Sequence, residues 1–235
     1  MFLEKKVLAI IPARGGSKGL PRKNILKTNG KPLISWTIKQ AYKSKYIDKV
    51  IVSTDDMQIA EISKNEGAEI PFMRPSRLAT DTAKTVDVVE NLISELSKVE
   101  EKYDVIVLLE PTSPLRKEND IDSTIEALER EGEFDGAVTL GKYKTHPELA
   151  KTIKRGHVIH STLGVNQSRR QDLEELYFPF GVAYVVKADV LIRELTFYPK
   201  KLSYHIIEDW QCYEIDDYWD WVSVEAIMQK TNKFL

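Results

Sequence analysis

The chain has 235 residues, 42% hydrophobic and 30% charged, with a formal net charge of -2. That balance suits one large soluble domain with a sizeable core, and it lacks the basic excess of a general nucleic-acid binder. A single cysteine, Cys212, excludes an intrachain disulfide, and no apolar run reaches the ~18 residues of a membrane span.

The N-terminal apolar run is broken by Pro12 and Arg14 and lacks the longer core of a signal peptide, so a cytoplasmic location is expected. In chain order, "VLAII" (7–11), "KVIVST" (49–54), "DVIVLL" (104–109) and "GAVTL" (136–140) read as buried strands. The stretches 32–44, 57–67, 85–99 and 120–132 repeat apolar residues at helical spacing, with Gly67 and Gly132 where C-caps are expected. Strand and helix alternate, which predicts an α/β fold with a mostly parallel sheet flanked by helices. Ligands in such sheets bind at the carboxyl ends of the strands.

The pattern weakens over 141–179, which reads as hairpins and loops projecting from a single domain spanning 1–235. "FGVAYVVKADVL" (180–191) returns to strand and then helix. Residues 208–230 read as a strand followed by a terminal helix.

The loop after the first strand, within "AIIPARGGSKGLPRKN" (9–24), carries four cations and two adjacent glycines. It is not a Walker A box, because Gly19 is followed by Leu20 and Pro21. Gly15 and Gly16 would let backbone N–H groups form an anion nest, and Arg14 and Lys23 would add charge-assisted contacts to phosphate. Lys18 and Arg22 are further candidates, and a solvated basic turn is the alternative reading. Near the other end, Glu214 and Asp216 are two apart, so an extended segment would put both carboxylates on one face. Such a pair suits Mg²⁺ completed by phosphates and water, or else a solvated strand end. Asp217 is expected to cap the last helix, with Asp220 in its first turn. Asp81 is expected to cap the helix over 85–99, with Thr80 as the other choice. Trp210, Trp219 and Trp221 are expected to pack in the core. The four histidines show no metal-ligand spacing, and Arg169 and Arg170 read as a solvated pair.

"PARGGSKGLPRKN" closely resembles the signature of the CMP-sialic acid synthetases, the cytidylyltransferases of nine-carbon α-keto acid sugars. "RPSRLATDTAKT" (74–85), "LLEPTSPLR" (108–116) and "RRQDL" (169–173) followed by "GVAYVV" (181–186) resemble further segments of that family in the same order. The resemblance spans nearly the whole chain. It implies a nucleotide-diphospho-sugar transferase-like fold with a protruding dimerisation region over 141–179 and a homodimer. It also implies an Mg²⁺-dependent reaction of CTP with a nonulosonic acid, giving the CMP-sugar and pyrophosphate. Arg14 and Lys23 would then be catalytic. Ala13, Arg14, Gly15, Gly16, Lys23, Asn24, Arg74 and Thr85 would hold the nucleotide. Glu110, Arg170, Phe178, Phe180 and Tyr184 would hold the sugar, and Glu214 and Asp216 the metal.

Three departures bear on the substrate. Glu214 stands where familiar members carry Asp, and Glu110 where they often carry Gln. "FPFG" puts Phe178 and Phe180 where sialic-acid enzymes usually read Arg-x-Asn-Gly. Two polar positions become apolar, which points toward a less hydroxylated sugar such as legionaminic acid. Pseudaminic acid and an eight-carbon keto-sugar are the alternatives, and a non-catalytic nucleotide-binding regulator is a rival of a different class.

Overall fold

The structure is a computed structural model that describes residues 2, 4–130, 133–143, 145–160 and 173–231. The apolar opening of the chain forms β1 (Val7–Pro12), flanked in parallel by β4 (Lys49–Ser53) and β5 (Val105–Leu108). Beyond β5 lies β9 (Tyr177–Lys187), antiparallel to both β5 and β6 (Gly136–Lys142). The strand β10 (Leu202–Ile206) closes that edge in parallel with β6, so the sheet order is β10-β6-β9-β5-β1-β4. Five strands therefore run one way and β9 alone runs the other, as a mostly parallel sheet allows.

Side chains alternate across β1. Val7, Ala9 and Ile11 pack on one face with Ile34 and Ile38 of α1 (Leu33–Lys43) and Ile121 and Ile125 of α4 (Asp120–Glu126). Leu8 and Ile10 pack on the other with Val89, Leu92 and Leu96 of α3 (Thr85–Ser97) and Val190 and Leu191 of α5 (Ala188–Glu194). Burial on both faces is why the strand reads as a continuous apolar run. The helix α2 (Met57–Asn65) is capped by Asp56, whose side chain accepts from Ile59 N, and Gly67 follows it at φ 95°, as expected of its C-terminal stop. Gly132 lies outside the described residues.

The short hairpin of β2 (Lys27–Thr28) and β3 (Lys31–Pro32) turns at Asn29-Gly30, both at positive φ. A second hairpin, β7 (Lys151–Lys154) and β8 (His157–His160), pairs only with itself, apart from the central sheet. It lies in the stretch read as hairpins and loops.

The strand expected after residue 208 is absent. A short helical turn at Asp209–Gln211 leads into irregular chain and then α6 (Tyr218–Lys230). The irregular chain is anchored at one point. Ile215 is buried with Leu33, Leu115, Val224 and Met228, and its N–H donates to Thr112 O at 2.8 Å. Asp217 caps α6 as expected, accepting from Trp219 N and Asp220 N, while Asp220 reciprocates to Asp217 N. Trp210 and Trp221 pack against this third cluster, but Trp219 is 73% exposed. Trp221, Val224 and Met228 share the inward face at three and four residue steps, and Trp219, two positions earlier, turns away from it. Among the described residues, no helix is long and apolar enough to cross a membrane.

Candidate active site

The loop leaving β1 is pinned at both ends. Ala13 is fully buried and its N–H donates to Ser53 O at 2.9 Å, extending the pairing of β1 with β4. Asn24, also buried, donates from Nδ2 to Arg14 O at 3.0 Å, closing the loop on its own start. Between these anchors each cation meets a carboxylate. Arg14 Nη2 stands 2.9 Å and Lys18 Nζ 2.7 Å from Asp81, Lys23 Nζ stands 3.0 Å from Asp216, and Arg22 bonds Asp56.

The two glycines play different parts from the expected nest. Gly15 N–H donates to Asp55 Oδ1 at 2.9 Å, and a Cβ there would run into the Asp56 side chain. Gly16 has open space around its Cα. The residue whose smallness the loop most needs is Gly19, where a Cβ would overlap the carbonyl oxygen of Asp216. Sequence reasoning passed over Gly19, since its partner lies nearly two hundred residues away in the chain.

Asp81 is not a helix cap. Lys84 occupies the N-cap position of α3, and the bond to Lys18, with the charge of Arg14, holds the Asp81 carboxyl below its ordinary range. The pull of two cations from a distant loop overrides a local capping preference. Arg74 is buried beside the end of β4, donating from Nε to Ser53 Oγ at 3.1 Å and from Nη2 to Ser53 O. Burial pushes its guanidinium down to about 10, against the pull of Asp55.

These groups surround a cavity of about 500 Å³ at the carboxyl ends of β1 and β5. Of the residues singled out from the sequence, it brings together Arg14, Lys23, Asn24, Arg74, Thr85, Glu110 and Asp216. Ala13, Gly15, Gly16, Phe178, Phe180, Tyr184 and Glu214 do not line it. Arg170 lies outside the described residues.

Gly181 joins Glu110 to Glu214. Its N–H donates to Glu214 Oε1 at 2.6 Å, its carbonyl accepts from Glu110 N at 3.1 Å, and a Cβ on it would strike the Glu110 carboxylate. Ser113 Oγ donates to the same Glu214 oxygen at 3.0 Å. Desolvation, then the charges of Glu214 and Asp216, push the Glu110 carboxyl up to about 7, with Arg116 and Lys23 pulling the other way. Glu214 and Asp216 thus reach the same neighbourhood without a strand, because buried Ile215 between them turns to the opposite side.

A magnesium ion fits this chemistry. Among the described residues no three Asp, Glu, His or Cys side chains form a closed cage. Mg²⁺ needs only one or two carboxylates when phosphates and waters supply the rest of its shell. Asp216 is 79% exposed at the cavity, and a cation there would offset the carboxylate charges that add to desolvation in raising Glu110.

Phe178, Phe180 and Tyr143 form an aromatic run at the end of β9. Phe178 stacks on Tyr143 with centroids 5.8 Å apart and meets Phe180 edge-on at 5.4 Å. Phe178 is 44% exposed. Tyr184 faces the core instead, packed against Phe197 and Tyr198, and burial, then Glu110, raises its hydroxyl above its ordinary range. Two histidines make side-chain bonds, His205 Nε2 lying 3.1 Å from Asp120 Oδ1 and His146 Nδ1 accepting from Glu148 N at 3.3 Å, while His157 is exposed on β8.

A family model described as cytidylyltransferase matches residues 8–226. The chain belongs to the cytidylyltransferase family. It is 32% identical over 234 residues to a CMP-N,N'-diacetyllegionaminic acid synthase of Legionella pneumophila, covering 98% of this chain and 99% of that one. It is 34% identical over 239 residues to an N-acylneuraminate cytidylyltransferase of Streptococcus agalactiae, covering 97% of this chain but 56% of that longer one. The cytidylyltransferase fold itself is shared with a CMP-2-keto-3-deoxy-manno-octonic acid synthetase solved in complex with CTP, at a TM-score of 0.72 and 17% identity over 96% of this chain and 99% of that one.

Proposed function

We propose that the chain activates a nine-carbon nonulosonic acid with CTP, forming the CMP-sugar and pyrophosphate. The observation that carries this reading is the cavity at the ends of β1 and β5, which is lined by Arg14, Lys18 and Lys23 together with Glu110 and Asp216. The cations suit a triphosphate, and the carboxylates suit a hydroxylated sugar and a divalent ion.

The sugar's anomeric hydroxyl attacks the α-phosphorus in line. A new P–O bond forms as the hydroxyl gives up its proton to water, the bond from the α-phosphorus to the bridging oxygen breaks, and pyrophosphate leaves with that electron pair. Such transfer depends on positioning and charge neutralisation more than on covalent intermediates. Arg14 and Lys23 exchange their carboxylate partners for phosphate oxygens and neutralise charge on the leaving group. Arg74 and Thr85 bound the nucleotide side of the cavity. Asp216 and Glu214 would hold Mg²⁺, which would supply Lewis acidity toward the phosphate oxygens.

Within the class, a legionaminic-type acid is the preferred substrate, supported by the aromatic pair Phe178 and Phe180 and by the similarity to the Legionella synthase. A homodimer in the cytoplasm is the proposed working form. The hairpin of β7 and β8 supports it, since the cross-strand neighbours Ile153 and Val158 are 75% and 69% exposed. Light scattering of a fully active monomer at assay concentration would refute the dimer.

The decisive experiment incubates the protein with CTP, Mg²⁺ and a panel of N-acetylneuraminic, N,N'-diacetyllegionaminic, pseudaminic and eight-carbon keto-sugar acids, and follows pyrophosphate release. Turnover with a nine-carbon acid is expected. Turnover with none of them overturns the reading.

A further inference from the structure

Arg116 is fully buried, and all five of its N–H donors are used. Nε donates to Val182 O at 2.6 Å, and Nη1 to Thr37 Oγ1 at 2.9 Å and Gln40 Oε1 at 3.2 Å. Nη2 donates to Glu110 O at 2.7 Å and Gly181 O at 2.9 Å. A guanidinium has five such donors in a fixed planar fork, so the set is complete. Thr37 and Gln40 belong to α1 and do not line the cavity. Glu110 and Gly181 are the two peptides around which the Glu110 and Glu214 carboxylates meet.

We infer that Arg116 is a positioning residue for the sugar side of the reaction, fixing the Glu110 and Gly181 peptides to α1 so that the Glu110 carboxylate holds its place in the cavity wall, with Glu214 bonded to Gly181 beside it. A buried ion costs free energy to desolvate, and a purely structural tie between α1 and β9 would be served as well by packed apolar side chains. The planar cation instead meets the carbonyl of Glu110, just past β5, and those of Gly181 and Val182, inside β9, and sets positive charge beside Glu110, Asp120 and Glu214. The nucleotide wall, built from the β1 loop and the segment before α3, receives none of the five bonds. Disturbing Arg116 should therefore act on the sugar and leave CTP binding measured without Mg²⁺ in place.

This inference rests on the cytidylyltransferase reading proposed above. Its test uses the full-length chain and three variants, Arg116→Lys, Thr37→Val and Thr37→Ser. Lysine keeps the charge with three donors and leaves acceptors unmet. Valine at position 37 keeps the shape and removes one acceptor from α1, and serine restores it. Steady-state pyrophosphate release gives kcat and KM for the sugar acid, calorimetry without Mg²⁺ gives the Kd for CTP, and thermal melting reports the fold. Arg116→Lys is expected to lower kcat/KM for the sugar at least tenfold, with the Kd for CTP within twofold of wild type. Thr37→Val is expected to lower it threefold or more, and Thr37→Ser to recover most of that loss. If Arg116→Lys does not fold, the position-37 pair decides. Unchanged sugar kinetics in a folded Thr37→Val, or equal losses toward CTP and sugar, overturn the inference and leave the cytidylyltransferase reading standing. A wild-type chain that turns over no sugar acid overturns both.

Discussion

Lys23 and Asp216 are 193 residues apart in the chain, yet Lys23 Nζ stands 3.0 Å from Asp216 Oδ1 at the mouth of the cavity. The lysine side chain is mostly buried and the aspartate 79% exposed, so the pair is open to solvent on one side. Such a pair adds little to stability, about 0–1 kcal/mol. It keeps the cation proposed to bind phosphate and the carboxylate proposed to bind metal within reach of each other. Lys23→Ala is therefore expected to leave the melting temperature nearly unchanged. It should lower kcat/KM at least tenfold, as loss of one charge-assisted contact of about 1.5–3 kcal/mol requires. Arg14→Ala should behave alike. Unaltered turnover in both variants would remove the β1 loop from the reaction.

Metal dependence is expected to follow Asp216 rather than Asp217. EDTA should abolish pyrophosphate release and Mg²⁺ should restore it. Asp216→Asn should raise the Mg²⁺ concentration needed for half-maximal rate. Asp217 spends its carboxylate on the N–H groups of Trp219 and Asp220, so Asp217→Ala should cost about 1 kcal/mol of stability through the lost cap. If Asp217→Asn lowers turnover more than Asp216→Asn, the metal assignment is wrong.

The raised Glu110 carboxyl has a consequence for stability. Its proton is held more tightly in the folded chain, at about 7, than at the ordinary carboxylate value of 4.5. Between those values the folded state binds more protons, so the stabilisation from this group is full below pH 4.5 and is lost as pH rises through about 7. Asp56 and Asp81 are shifted the opposite way and act only at more acid pH. In metal-free buffer the melting temperature should fall from pH 5 to pH 8, and Glu110→Gln should flatten that slope. An unchanged slope in Glu110→Gln would place the titrating group elsewhere.

What the sequence carried plainly was anything set by neighbours in the chain. The alternation along β1, the helical spacing of α1 to α4 and the cap at Asp217 are all short-range patterns, and they appear where expected. The "YEID" alternation after Cys212 imitated a strand, but one buried isoleucine and one backbone bond to Thr112 account for it. The strand β10 went unread because only five residues at a sheet edge encode it. The site was legible as a set of residues and illegible as a set of pairs. Asp81 looked like a cap because Arg14 and Lys18 are distant in sequence. Gly19, Gly181 and Arg116 carried no signal beyond standing inside motifs whose other residues drew attention.

The last expectation concerns which sugar the cavity accepts. The aromatic run from Tyr143 through Phe178 to Phe180 ends at Gly181, which touches the Glu110 carboxylate at the cavity wall. A sugar whose anomeric end lies over the phosphates would extend its tail past Glu110 toward that run. Aromatic surface there offers no partner to a desolvated hydroxyl, and an unpaired buried polar group costs about 1–3 kcal/mol. The same surface favours an acetamido or methyl group by about 1 kcal/mol for each methyl-sized group buried. Together these correspond to a preference of roughly ten- to a thousandfold in kcat/KM for N,N'-diacetyllegionaminic acid over N-acetylneuraminic acid. Phe178→Arg combined with Phe180→Asn should narrow or reverse that preference while leaving the Kd for CTP unchanged, since neither side chain lines the cavity that holds Arg14, Lys23 and Arg74. Comparable efficiency of the wild-type chain with both sugars would end the specificity assignment and leave the cytidylyltransferase chemistry untouched.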